Sequence, residues 1–207
     1  MEGFSYLTVE GRSTGQYKEK GSRFIAFVFP VHSEEEAKHQ LGMLRKEYHD
    51  ARHHCFAWAI GPTKPQYRAA DDGEPNHSAG DPILGQLRAN HLTNTMAVVV
   101  RYFGGIKLGV GGLITAYKTA TQNALEKAVI VEKEITEVVT LQFDYAYTPE
   151  AMRLVKEFEL TVLSQDFESS CVLRAKIKLK WKEGFVVKTR LLNAMGIPVR
   201  VEWPGQA

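Results

Sequence analysis

MAVVVRYFGGIKLGVGGLITAY, residues Met96 to Tyr117, joins three segments with different physical preferences. The β-branched run from Ala97 to Val100 favours a strand ending near Arg101. Five glycines between Gly104 and Gly112 then permit a tight loop. Leu113, Tyr117, Ala120, Ala124 and Ala128 follow at helical spacing and predict an amphipathic helix reaching Val129. Strand, glycine loop and helix in this order leave backbone N–H groups open near a helix N-terminus, where the dipole favours an anion. Arg101 and Lys107 bring positive charge to the loop, and Tyr102 and Phe103 bring rings suited to base stacking or to core packing. The stretch reads as a phosphate site, with Gly104, Gly105, Gly109, Gly111 and Gly112 supplying backbone donors. A small-molecule phosphate and a nucleic-acid backbone fit it equally, and a loop that only turns tightly needs the same glycines.

Named nucleotide motifs do not fit. Gly104 and Gly109 have P-loop spacing, but Val110 holds the lysine position, and Ile114 stands where a dinucleotide fingerprint needs its third glycine. No cofactor is expected.

Towards the N-terminus, Phe24 to Val31 (FIAFVFPV) predicts a strand closed by Pro30, with Lys18, Lys20 and Arg23 at its entrance. The residues before Tyr17 read as a loosely ordered lead-in or an edge strand. Ser33 and Glu36 form a capping box for a helix through Ala37, Leu41, Leu44 and Tyr48 to about His49. In Arg52 to Ile60, residues His54, Phe56, Trp58 and Ile60 share one face and His53, Cys55, Ala57 and Ala59 the other. Both faces are mostly apolar, which predicts a central strand. Gly61 to Gln66 is a turn, and DDGEP, Asp71 to Pro75, is an acidic one. Asp81 and Pro82 read as the N-cap and first residue of a short helix through Leu84 and Leu87.

The charged segment Glu132 to Glu137 marks a boundary, dividing the chain into domains at 1–132 and 133–207. Beyond it, Val138–Tyr145, Leu160–Phe167, Cys171–Leu179 and Ile197–Trp203 read as strands, while Pro149–Phe158 and Trp181–Met195 read as helices, the second stopped by Gly196. The order βαββαβ is the ferredoxin-like arrangement. The fold class is therefore α+β with two domains.

Three further groups invite chemistry. His53 and His54 are adjacent on a strand and point to opposite faces, so they cannot converge on one ion, and no metal is expected. Cys55 shares a face with His53, but two strand residues lie about 6.6 Å apart, beyond hydrogen-bond reach, which favours a buried thiol over a nucleophile. Asp71, Asp72 and Glu74 suit either an acid–base pair or a carboxylate cluster that orders Arg52, His53 and Arg101.

Composition narrows the remaining classes. A net charge of +2 over 207 residues creates no global field for nucleic acid, so any such binding needs a local patch. Cys55 and Cys171, both in apolar runs, fit a reduced cytoplasmic protein. The N-terminus lacks a signal-peptide pattern and no uncharged run reaches about 18 residues, so no membrane partner is expected.

KGSRFIA at Lys20–Ala26, ARHHCFAW at Ala51–Trp58, DDGEP and AGDPIL within Asp71–Leu84, and VVVRYFGGIKLGVGGL at Val98–Leu113 together resemble the bacterial YigZ-like branch of the IMPACT family. The resemblance implies a first domain of βα type like domain IV of elongation factor G, a ribosomal-protein-type fold, and a ferredoxin-like second domain like that factor's domain V. Those domains contact ribosomal RNA, so the resemblance implies a translation-linked or RNA-binding role. Asn76, His77 and Ser78 depart from the small residues ending in threonine that the family commonly carries there. Eukaryotic relatives add an N-terminal RWD domain and modulate a stress-kinase pathway; the residues before Tyr17 are too few for that domain, so kinase regulation is not carried over.

The sequence thus predicts a non-catalytic protein that binds RNA or a ribosomal surface, with Arg23, Arg52, His53, Arg101 and Lys107 contacting phosphate and Tyr102 or Phe103 stacking. One rival is an enzyme acting on a small phosphorylated or carboxylated substrate between His53, Asp71, Asp72 and Arg101. Another is an adaptor for a regulatory protein partner, which predicts an exposed apolar patch.

Overall fold

β3 (Ser22–Pro30) and β6 (Thr95–Tyr102) carry apolar residues on both faces and are buried along nearly their whole length, which places them inside a sheet. The computed structural model describes residues 3–167 and 171–204. Around that pair, β2 (Ser13–Glu19), β4 (His53–Ile60) and β5 (Gln66–Ala70) complete a five-stranded antiparallel sheet in the order β2-β3-β6-β4-β5. Contacts divide the chain into two compact units, residues 5–133, which hold this sheet, and residues 134–204 with Gly3 and Phe4.

The alternation in β4 sorts the two faces of the sheet. Cys55 and Ala57 join Phe24, Val99, Leu87, Leu113 and Tyr117 in a core beneath α2 (Gly80–Ala89) and α3 (Gly109–Leu125). Trp58, with Phe27, Met96 and Val98, packs instead under Leu41 and Leu44 of α1 (Glu34–Glu47). Ser33 caps α1 by accepting the Glu36 N–H at 3.1 Å, but the Glu36 carboxylate returns to the His32 N–H at 2.7 Å, one residue earlier than a capping box requires.

Several boundaries differ from those read in the sequence. The segment before Tyr17 contains β1 (Ser5–Val9) as well as β2, and β1 forms a two-stranded sheet with β7 (Ile130–Glu134), so the charged segment at the boundary is partly strand. Met1 and Glu2 lie outside the described residues. β5 escaped detection because it is a short edge strand, partly or fully exposed at every position, that gains its order from pairing with β4. Asp81 does not cap α2; that helix starts two residues earlier than expected, at Gly80.

α3 absorbs Gly109, Gly111 and Gly112 into its first turn, so only Gly104 and Gly105 belong to the loop proper. The helix lies close on β2 at Gly15, where a Cβ would fall 2.2 Å from the Ala124 backbone nitrogen.

The second unit follows β8 (Thr136–Phe143), α4 (Thr148–Glu157), β9 (Thr161–Phe167), β10 (Cys171–Lys178), α5 (Lys182–Ala194) and β11 (Val199–Glu202). Its strands pair antiparallel in the order β11-β8-β10-β9, the ferredoxin-like topology. Val139, Leu141, Leu173, Ala175, Leu154 and Phe185 fill its core. Gly196 (φ +81°) ends α5, its N–H reaching the Asn193 carbonyl at 3.1 Å.

His54 is buried on the α1 side with Nε2 unpartnered. Burial, opposed by Asp72 and aided by Arg45, holds its pKa below the ordinary histidine value. The unfolded chain therefore takes up this proton at a higher pH than the folded one. The stability from a neutral His54 is complete above pH about 6.5 and is lost as pH falls through the lower folded value. Urea unfolding at pH 7.5 and 5.5 should show a smaller loss of stability in His54→Phe than in the wild type. At Gly15, alanine forces its methyl into backbone and should cost about 1–3 kcal/mol in the same assay; an unchanged midpoint would show that α3 can move away.

Candidate anion-binding surface

The acidic turn ties the first unit together from inside. Asp71 Oδ1 accepts the N–H groups of Ala79 (2.9 Å) and Gly80 (2.8 Å), and its Oδ2 accepts that of His77 (2.8 Å). Burial alone would raise the pKa of Asp71, but these donors outweigh it and hold the carboxyl below its usual range. Asp71 thus does for α2 what Asp81 was expected to do. Asp72 accepts the His54 N–H at 2.7 Å and an Arg45 N–H at 2.8 Å.

Glu74 points into the core. Its Oε1 accepts hydrogen bonds from Arg101 Nη1 (2.6 Å) and from the Tyr117 hydroxyl (2.7 Å). The side chains of Arg101 and Glu74 are only 6% and 4% exposed. The Cys55 thiol meets the Tyr117 hydroxyl at 3.2 Å and the Asp71 carbonyl at 2.9 Å. Burial pushes the Cys55 thiol and the Tyr117 phenol well up from their ordinary pKa values, so neither supplies an anion for nucleophilic attack.

One expectation is thereby corrected. Arg101 does not contact an external phosphate, because its guanidinium is enclosed and neutralised by Glu74. Of the residues named for an enzymatic reading, His53 stands directly opposite Arg101 in the β4–β6 register. His53 Nδ1 lies 3.0 Å from the Asp72 carbonyl, its ring against Gly73, and the Asp71 carboxylate is taken up by backbone donors. A cleft of about 460 Å³ lined by Tyr6, Pro62, Tyr67, Arg88 and His91 lies elsewhere on this unit, and one of about 300 Å³ lined by Leu41, Phe56, Trp58 and Arg68 reaches the acidic turn at Asp72.

The outer surface of the glycine loop has a different character. Gly104 sits hard against the β2–β3 turn: a Cβ there would fall 1.9 Å from the Gly21 carbonyl carbon, and its N–H donates to Ser22 Oγ at 3.1 Å. This amide is internal scaffolding and not an open donor. Gly105, Lys107, Gly109 and Gly111 are exposed, Gly112 is half-buried, and no side chain caps the N-terminus of α3. Gly105 and Gly109 take positive φ, +87° and +73°, which a side chain would resist.

Contact between Gly104 and Gly21 brings the β2–β3 turn, with its cations, beside this loop. Lys18 stands directly opposite Arg23, and Arg23 directly opposite Tyr102. Like charges in directly opposed positions repel, and an anion laid across them would relieve that cost. None of the ion pairs among the described residues involves Lys18, Lys20, Arg23, Arg52 or Lys107, all of them exposed. Arg23 lies over the Tyr102 ring at 5.0 Å, and the Tyr102 hydroxyl donates to Asp50 at 2.7 Å, so Tyr102 is already engaged. Phe103 is 51% exposed. The sequence marked Lys18 and Lys20 as standing at a strand entrance without assigning them a role; the fold puts Lys18 in a cross-strand row with Arg23 and Tyr102, and Lys20 beside Gly21, which touches the loop at Gly104.

The family model described as "Impact N-terminal domain" matches residues 20–125. An IMPACT family member of Haemophilus influenzae is 36% identical over 185 residues, covering 87% of this chain and 88% of that protein. The Escherichia coli IMPACT family member YigZ is 36% identical over 160 residues, 76% of this chain and 78% of its own. A crystal structure described as that of a hypothetical protein superposes with a TM-score of 0.76 at 32% identity, covering all of both chains.

Truncating one partner of a buried ion pair leaves an uncompensated charge and costs about 3–5 kcal/mol. Glu74→Ala should lower the unfolding free energy by that amount, while Glu74→Leu combined with Arg101→Met should lose less than Glu74→Ala. Equal losses in the two proteins would show that the pair itself, and not the stranded charge, carries the effect.

Proposed function

Since the chain belongs to the IMPACT family, we propose that it is a non-catalytic, translation-linked protein that binds RNA, free or on a ribosomal surface, through the outer face of the glycine loop. Lys18, Lys20, Arg23, Arg52 and Lys107 would neutralise phosphates, and the exposed glycine backbone entering α3 would admit a phosphate close to its N–H groups. The observation that carries this reading is the set of exposed cations that no carboxylate meets in an ion pair, next to an exposed glycine-rich loop. It also explains how a chain of nearly balanced charge could bind a polyanion, since the charge is gathered locally. The ribosomal RNA contacts of the domains it resembles point the same way, as analogy of fold.

A specific observation favours the adaptor as a second reading. Phe103, Ile106, Val110 and Ile114 are 51%, 56%, 52% and 39% exposed on the same stretch, an apolar patch of the kind that marks protein contacts.

Salt dependence tests the first reading. Fluorescence anisotropy with a labelled RNA fragment should show affinity falling linearly in log–log form as salt rises, with a slope of about −0.7 for each single-strand phosphate neutralised. Alanine at Lys20, Arg23 and Lys107 together should weaken binding and make that slope shallower by about 2. A flat salt response in the wild type would sink the nucleic-acid reading and leave the adaptor.

A further inference from the structure

We infer that the RNA taken by this surface is single-stranded and that one of its bases stacks on Phe103. The inference rests on the proposed RNA-binding function and goes further in naming the strand state and the residue that reads it.

Cations alone do not distinguish one nucleic acid from another, because duplex and single strand both present phosphates. Here the cations adjoin exposed apolar side chains. Phe103, Ile106 and Val110, each about half exposed, flank Lys107 in the chain, while Lys20 lies on the adjoining turn that touches Gly104 and Arg23 at the start of the strand after it. A duplex keeps its base faces stacked inside and would leave these apolar groups with no complementary surface. An unpaired strand offers base faces and phosphates side by side, which matches the mixture.

Phe103 is also held for the purpose. The Arg101 guanidinium lies 5.5 Å from its ring centroid and 5.4 Å from that of Phe24, while Glu74 fixes the same guanidinium from the core. A cation bound in place therefore backs the ring, so that ordering it on binding costs little entropy. Tyr102 does not serve this role, since it is half-buried and Asp50 holds its hydroxyl. An acidic amphipathic helix is the competing occupant, but such helices need a groove with walls from more than one element. The apolar side chains here come from one continuous stretch, the loop and the start of α3, Phe103 to Ile114.

Anisotropy with a labelled oligouridine and with an RNA duplex of equal length, at one salt concentration, compares the wild type with Phe103→Ala and Phe103→Trp. The wild type should prefer oligouridine. Phe103→Ala should weaken oligouridine binding by about 5- to 150-fold, leave the salt slope unchanged, and leave duplex binding unchanged; Phe103→Trp should retain binding. Thermal unfolding of each variant at the wild-type midpoint would tie the loss to the ring and not to folding. Equal affinity for duplex and single strand, or no effect of Phe103→Ala, would overturn the inference while salt-sensitive RNA binding still supported the proposed function. Failure of both RNAs to bind would overturn both, and displacement of oligouridine by polyglutamate at equal charge concentration would assign the surface to an acidic protein partner.

Discussion

A single carboxylate oxygen, Glu74 Oε1, receives the Arg101 guanidinium and the Tyr117 hydroxyl inside the first unit. Each group alone would be costly to bury; together they satisfy much of one another's hydrogen-bonding demand. Their attachment points explain why the contact matters. Arg101 is near the end of β6, Tyr117 lies in α3 and Glu74 sits on the acidic turn, so one oxygen joins the sheet, the glycine-led helix and the loop between β5 and α2. Asp71 and Asp72 extend the same function to α2, β4 and α1. The acidic turn is thus a knot of acceptors that ties these elements together.

This arrangement separates two roles within VRYFGGIKLGVGG. The inner half, Arg101 and Gly104, belongs to the scaffold: the one is enclosed, the other pressed against Gly21. The outer half, from Phe103 through Gly111 with Gly104 excepted, remains largely exposed. The scaffold also serves the surface. Arg101, held by Glu74, lies against the ring of Phe103, so the buried ion pair that stabilises the unit also orders its outermost aromatic group.

The ferredoxin-like unit was the more legible part of the fold. Its elements are local, each has its own period, and turn residues separate them, so the strand and helix order was present in the pattern. β5 and β7 were harder, because a short edge strand takes its conformation from its neighbour more than from its residues. The start of α2 was misplaced for a related reason. Asp81 has a good capping side chain in the right place along the chain, yet Asp71, on the turn before the helix, reaches the amides at its start first.

Read without coordinates, the chain determined its α+β class, the opposite faces of β4, the course of α1, the apolar face of α3 and the presence of a basic glycine loop, because these follow from periodicity, backbone freedom and local charge; α3 itself runs from Gly109 to Leu125, four residues short of the expected end at Val129. Which cations face outward was decided by the tertiary structure alone. Arg101 and Lys107 look equivalent in a string of letters, both a few residues from the same glycines. Folding sets a buried carboxylate beside the first and solvent beside the second, and burial without a counter-charge is so costly that this placement fixes what each can do.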